Sequence, residues 1–258
     1  MLAENEKARE FVRSIDLSGT PRGIVPQGMA AEPQEIFDAA KAQAQVVGSG
    51  LMSFAQGVTP EVREAISNSA LLAQLVANKR ASAEKDPIAW YSAYTQVLQN
   101  VGWVLQESGW ADYTAKGQAA EVHEKIIEVL SVALGPSVAA LKLLQSAIDV
   151  LKAMKPDTSW LTIFSRETEH ASIARFQIGL VEPGENDDVF VSMLACLVEG
   201  SSSVTQVLFF KYRAEHARFK GNSAKVSLNR AALEDLGPEI RKKVRAYMTD
   251  YLSTITDI

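Results

Sequence analysis

Along the last third of the chain the hydrophobic positions fall on consecutive residues, not on alternate ones. The run from 189 to 198 puts Val189, Val191, Met193, Ala195 and Leu197 on one side of an extended segment. Phe190, Leu194, Cys196 and Val198 lie on the other, and Ser192 is the polar exception. Side chains alternate across a strand, so a run apolar on both sides predicts a sheet covered on both faces. The segment VTQVLFFKYR at 204–213 repeats the pattern. SWLTIFS at 159–165, ASIARFQIGLV at 171–181 and AKVSL at 224–228 read as further strands, with turns at Pro183-Gly184 and 200–203.

Upstream the period is helical. Residues 1–14 read as a short charged helix and 18–33 as an irregular arm rich in proline and glycine. A helix is predicted from Pro33 to Val47, then a break at Gly48 and Gly50 and a short apolar segment, LMSFAQ. Thr59-Pro60 and Asp86-Pro87 are helix starts, a capping side chain followed by proline at the first helical position. The first of these helices carries Val62, Ile66, Leu72 and Val76 at helical spacing. The second puts Trp90, Tyr94, Val97, Leu98, Val101 and Leu105 on one face and is predicted to reach Gln106.

Residues 121–154 read as two helices meeting at Gly135-Pro136, one built on Val122, Ile126, Val129, Leu130 and Ala133, the other on Leu141, Leu144, Ile148 and Leu151. A last helix is predicted from Asn229, interrupted at Gly237-Pro238 and continuing to Ile255. Helices, then a mostly antiparallel sheet with helices covering both faces, then a C-terminal helix, define an α+β class rather than alternating βαβ units. The organisation expected is an arm at 1–32 and a single α+β domain at 33–258. Within that domain a helical layer spans 33–155, the sheet 156–228 and the C-terminal helix 229–258.

Charge narrows the partners. A net charge of −5 over 258 residues argues against a general affinity for nucleic acid, which rests on a surplus of Lys and Arg. The N-terminus, MLAENEKARE, lacks the apolar stretch of a secretory signal, so the expectation is a soluble protein that is cytoplasmic or exported by another route. The uncharged stretches at 87–106 and 42–60 hold too many polar residues and glycines to be membrane spans.

Candidate chemistry is sparse. His123, His170 and His216 include two Glu-His dipeptides, but neighbours on a strand point to opposite faces and do not chelate together, so no metal is expected. No Walker loop, GxGxxG, GxSxG or HExxH is present, and no catalytic residue is assigned. Cys196, the single cysteine, sits in mid-strand, where desolvation raises a thiol pKa and disfavours a nucleophile. Trp103 is read either as covered by a neighbouring element or as an exposed membrane contact. Arg241, Lys242, Lys243 and Arg245 form a basic turn that could lie on anionic lipid or dock beside the sheet with its cations in water.

The strands ARFQIGLVEP, FVSMLACLVEG and VTQVLFFKYR and the helix after them, residues 171–233, resemble the late part of the Cyt-type cytolytic toxins and the related Erwinia virulence factor family. The one shared four-residue stretch is Val207-Leu208-Phe209-Phe210. The resemblance implies helical layers about an antiparallel sheet and a lipid- or membrane-interacting, cytolysin-like protein whose helical hairpins leave the sheet to engage lipid. It also implies that Cys196 matches the position of a covalent fatty acyl chain. A soluble binding protein holding a hydrophobic small molecule or lipid is the second reading, and an enzyme of unknown reaction the third; the oligomeric state is open.

Overall fold

The computed structural model describes residues 2–20, 40–113, 120–134, 138–153, 159–170, 172–184, 188–201, 208, 211–212 and 217–255. Most of VTQVLFFKYR, including Phe209 and Phe210, lies outside these, as do His216, Gly135-Pro136 and residues 21–32 of the predicted arm.

Two strands open the sheet, β1 (Gln43–Val47) and β2 (Gly50–Phe54). Helices α2 (Pro60–Arg80) and α3 (Pro87–Asn100) follow, then β3 (Val104–Tyr113). A helical hairpin comes next, α4 (Val122–Leu134) and α5 (Val138–Ala153), preceded by the two-residue β4 (Ala120–Glu121). After α6 (Ser159–Thr168) the chain forms β5 (Glu169–His170), β6 (Ile173–Pro183), β7 (Asp188–Gly200), β8 (Lys211–Tyr212) and β9 (Ala217–Asn229). It ends in α7 (Arg230–Val244), a short α8 (Met248–Tyr251) and β10 (Leu252–Ile255), and α1 (Leu2–Ser14) precedes everything.

The main sheet runs β10-β1-β2-β6-β7-β9-β3, with β5 added to β6. Its pairings are antiparallel except β2 with β6. Both faces are covered, as the consecutive apolar positions require. Val189, Val191 and Met193 enter one core with α2, α3 and α7, while Leu194, Cys196 and Val198 enter a second with α4, α5 and α6. Phe190 departs from the pattern and stays 48% exposed near the end of β7.

Several predicted elements change type. The segment before Gly48 is strand β1, not helix. Its Ala and Gln favour helix locally, but its groups pair with β2 on one side and β10 on the other. The Gly48-Ser49 pair, read as a break, is a two-residue hairpin turn in which Gly48 takes φ 53°. SWLTIFS is helix α6, burying Ile163, Phe164 and Thr168 and leaving Leu161 packed at the edge. The final helix runs through Gly237-Pro238 without a break but stops at Val244, and residues 252–255 become β10.

The second predicted helix ends six residues early. Gly102, at φ 92°, lets Trp103 N donate to Leu98 O at 3.0 Å and Gly102 N to Gln99 O at 3.1 Å. These two bonds are the glycine-dependent stop in which an apolar residue just past the helix packs on the last turn. Leu98 and Trp103 share the first core, and the chain then turns into β3, a strand absent from the sequence reading.

Candidate functional site

The two sides of the sheet are held differently. On the first, α2, α3, α7 and α1 are fastened by polar bonds as well as by apolar packing. Tyr91 Oη on α3 reaches the backbone of two adjacent strands, lying 2.7 Å from Phe176 O and 2.8 Å from Cys196 O, so its one proton is shared between two carbonyls. Gln74 Nε2 donates to Val47 O at 2.7 Å, and the amide of Ser49 donates back to Gln74 Oε1 at 2.9 Å. Arg63 on α2 is buried. Its Nε donates to Val58 O, Nη1 to Gln43 Oε1 and Nη2 to Lys41 O and Ala55 O, so one guanidinium holds the open ends of β1 and β2. Outside these, α1 is pinned to α7 by Arg9 with Asp235 and by Arg13 with Glu239.

On the second side α4 and α5 form an amphipathic hairpin. Val122, Ile126, Val129, Leu130, Leu144, Ala147 and Ile148 pack in one cluster with Phe176, Ile178, Leu194, Cys196 and Val198 of the sheet. The polar contacts described between its two helices, and from it to residue 208, lie at its base. There Glu121 pairs with Lys152 of α5 at 3.3 Å and with His123 Nδ1 at 3.2 Å, and that same nitrogen lies 3.1 Å from Leu208 O. Toward the other end of α4, Val132 is 83% exposed. Among the described residues no helix is long and apolar enough to cross a membrane.

The residues singled out in the sequence do not form one site. Cys196 is 0% exposed, faces the hairpin, and its Sγ lies 3.8 Å from Leu194 O; burial pushes its thiol pKa well up. Trp103 is 2% exposed and lies on the opposite side, which is the covered one of its two readings. The basic turn divides. Arg241 pairs with Glu64 of α2 at 3.0 Å, and Lys243 Nζ donates to Arg13 O and Ile15 O, where it satisfies carbonyls at the end of α1. Lys242 and Arg245 stay exposed. His170 is half-buried on β5, its pKa lowered by burial and by the charge of Arg175. No group of metal-binding side chains occurs among the described residues.

The sequence reading passed over Arg63 and Arg175, both buried among apolar residues. The charge on a strand or helix face otherwise apolar was the available signal, because such a group must find partners inside.

Two predictions follow from this packing. Cys196 is expected to resist polar thiol reagents in the native protein and to react stoichiometrically once unfolded, and Cys196→Ser to cost about 1–3 kcal/mol through a buried hydroxyl. Rapid labelling of folded protein would place the thiol at the surface. The second concerns alkali. Burial raises the Tyr91 and Tyr94 phenols above their ordinary 10.0 and the thiol above 9.0, so the folded state keeps protons that the unfolded chain releases. Their contribution to stability is therefore complete below about pH 9 and is lost as pH rises beyond it. Arg175 acts in the opposite sense, being lowered to about 10, but it is one group against three. Urea midpoints measured from pH 8 to 11 should fall steadily; a flat profile would contradict the burial of these side chains.

No protein-family model matches the chain, and no curated protein matches it. Among solved structures it is similar to a delta-endotoxin, 12% identical with a TM-score of 0.43, over 81% of this chain and 91% of that one. It is similar to the activated Cyt2Ba monomer from Bacillus thuringiensis subsp. israelensis, 14% identical with a TM-score of 0.37, over 69% of this chain and 96% of that one. The Evf virulence factor is a third, 10% identical with a TM-score of 0.33, over 80% of this chain and 84% of that one. A Cyt toxin and a virulence factor, the kinds of protein named by the sequence resemblance, are among the solved structures the chain is similar to.

Proposed function

We propose that the protein associates with lipid membranes through the α4–α5 hairpin. The observation that carries this reading is the asymmetry of the two sheet faces. Releasing α2 or α3 would break buried hydrogen bonds to the strands, each costly to leave unmade. Moving the hairpin exchanges one apolar surrounding for another, because Ile126, Leu130, Leu144 and Ile148 are as well accommodated by acyl chains as by the sheet. Glu121, on β4 where it pairs with β8, stays with Lys152 at the base, which is the end about which the hairpin moves.

At 13 and 16 residues the two helices are about 20 and 24 Å long. That falls short of the roughly 30 Å hydrocarbon core and suits helices lying in the interface. Exposed Val132, within the charge-free stretch 129–141, is the first apolar contact. A fatty acyl chain on Cys196 belongs to the same reading, since that thiol lies beneath the hairpin and becomes accessible when it lifts; intact-mass spectrometry of native protein reads the modification directly.

Vesicle binding tests the proposal. A polarity-sensitive dye on Val132→Cys should shift to the blue on adding vesicles, while the same dye on Ser92→Cys, exposed on α3, should not. Lys242 and Arg245 stand at the end of α7, on the side of the sheet opposite the hairpin, so replacing them with Gln should change binding to anionic vesicles little and leave the fold intact. No flotation with anionic or neutral vesicles, together with an unmoved Val132 probe, would remove this function.

A further inference from the structure

The first side of the sheet holds a buried cation whose donors are incompletely used. Arg175, on β6, is buried, with its guanidinium 3.5 Å from the centroid of the Trp90 ring. Nη1 donates to Ser49 Oγ at 2.9 Å and Nη2 to the Glu167 carbonyl at 3.3 Å, both neutral groups, and Nε has no partner. Arg63 shows what a satisfied arginine looks like in the same protein, with each nitrogen of its guanidinium donating to an oxygen.

Two more buried donors near Arg175 are also unused. Gln177 lies two residues along the same strand, on the same face. Its Oε1 accepts from Ser49 Oγ at 3.1 Å, the hydroxyl that Arg175 also touches, and its Nε2 has no partner. Tyr94, stacked on Trp90 with centroids 5.4 Å apart, has an unpartnered hydroxyl. Arg175, Gln177 and Tyr94 are all more than nine-tenths buried. A fixed positive charge among spare N–H and O–H groups calls for an acceptor of negative charge.

The free part of the guanidinium indicates which anion. Nε and Nη2 form the edge whose two parallel N–H groups match the two oxygens of a carboxylate, and on this edge Nε is unused and Nη2 makes only its long bond. We propose that Arg175 anchors an internal carboxylate-binding site between α3 and the sheet, with Gln177 and Tyr94 as further donors and the Trp90 ring as its wall. The carboxylate belongs either to a short free acid or to the head of a fatty acid. The site uses the opposite side of the sheet from the hairpin, so it stands or falls separately from membrane association.

Calorimetric titration of the full chain with sodium acetate and with sodium laurate, each against sodium chloride at equal ionic strength, tests the site. Stoichiometric binding and a raised melting temperature with a carboxylate, absent with chloride, are expected. Binding of both acids marks a site for the carboxylate alone, and of laurate alone a fatty-acid site. Arg175→Lys, which keeps the charge but loses the fork, should weaken binding at least tenfold, and Tyr94→Phe several-fold. No binding of either acid, or binding unchanged in both variants, overturns the proposal.

Discussion

Leu194→Asp is expected to yield no soluble folded protein. Leu194 is fully buried in the second core, between Phe176 and Ile178 of β6 and the hairpin, on a strand paired along both edges. A carboxylate there would be ionised without a partner or protonated against its ordinary pKa, at several kcal/mol either way, which is a large share of the roughly 5–15 kcal/mol that stabilises a domain. Expression, solubility and thermal melting read the outcome. Leu194→Met, close to it in volume, is the control and should cost less than about 1.5 kcal/mol. A soluble Asp variant melting near the parent would mean that the hairpin does not cover this face in solution.

Arg63 carries the second large effect. Arg63→Leu removes four donor contacts at the open ends of β1 and β2, to the carbonyls of Lys41, Ala55 and Val58 and to the side-chain oxygen of Gln43. The expected loss is about 3–5 kcal/mol, measured by urea unfolding. Arg63→Lys should recover little of it, because a single ammonium cannot reach oxygens spread around a planar fork. If Arg63→Lys is as stable as the parent, the attachment of β1 and β2 rests on their strand pairing and not on this side chain.

These two residues illustrate what could and could not be read in advance. Leu194 was legible because the doubly apolar run of β7 requires two covered faces whatever the covering elements are. Arg63 stands in a helix whose start, Thr59-Pro60, was also plain, yet its partners lie 5 to 22 residues away, in the segment read as a helix to Val47 and at and after the short apolar segment LMSFAQ. For the proposed site the hairpin was visible as an amphipathic pair. Among the described residues, its apolar packing on the sheet became apparent only beside the polar bonds of the opposite face.

By itself the chain determined the class, the two-faced strand β7, the helix starts at Thr59-Pro60, Asp86-Pro87 and Asn229, and the burial of Cys196. Each follows from an interaction that is local or set by a fixed period: a cap bonding three residues ahead, or side chains alternating across a strand. The tertiary structure decided what depends on partners distant in sequence. Gln43–Val47 is a strand because Leu252–Ile255 and Gly50–Phe54 lie on either side of it, and the basic turn divides because Glu64 and the end of α1 reach Arg241 and Lys243. The unused donors around Arg175 likewise exist only where β6, α3 and the Gly48-Ser49 turn meet, since no short stretch of sequence records which buried groups will find a partner.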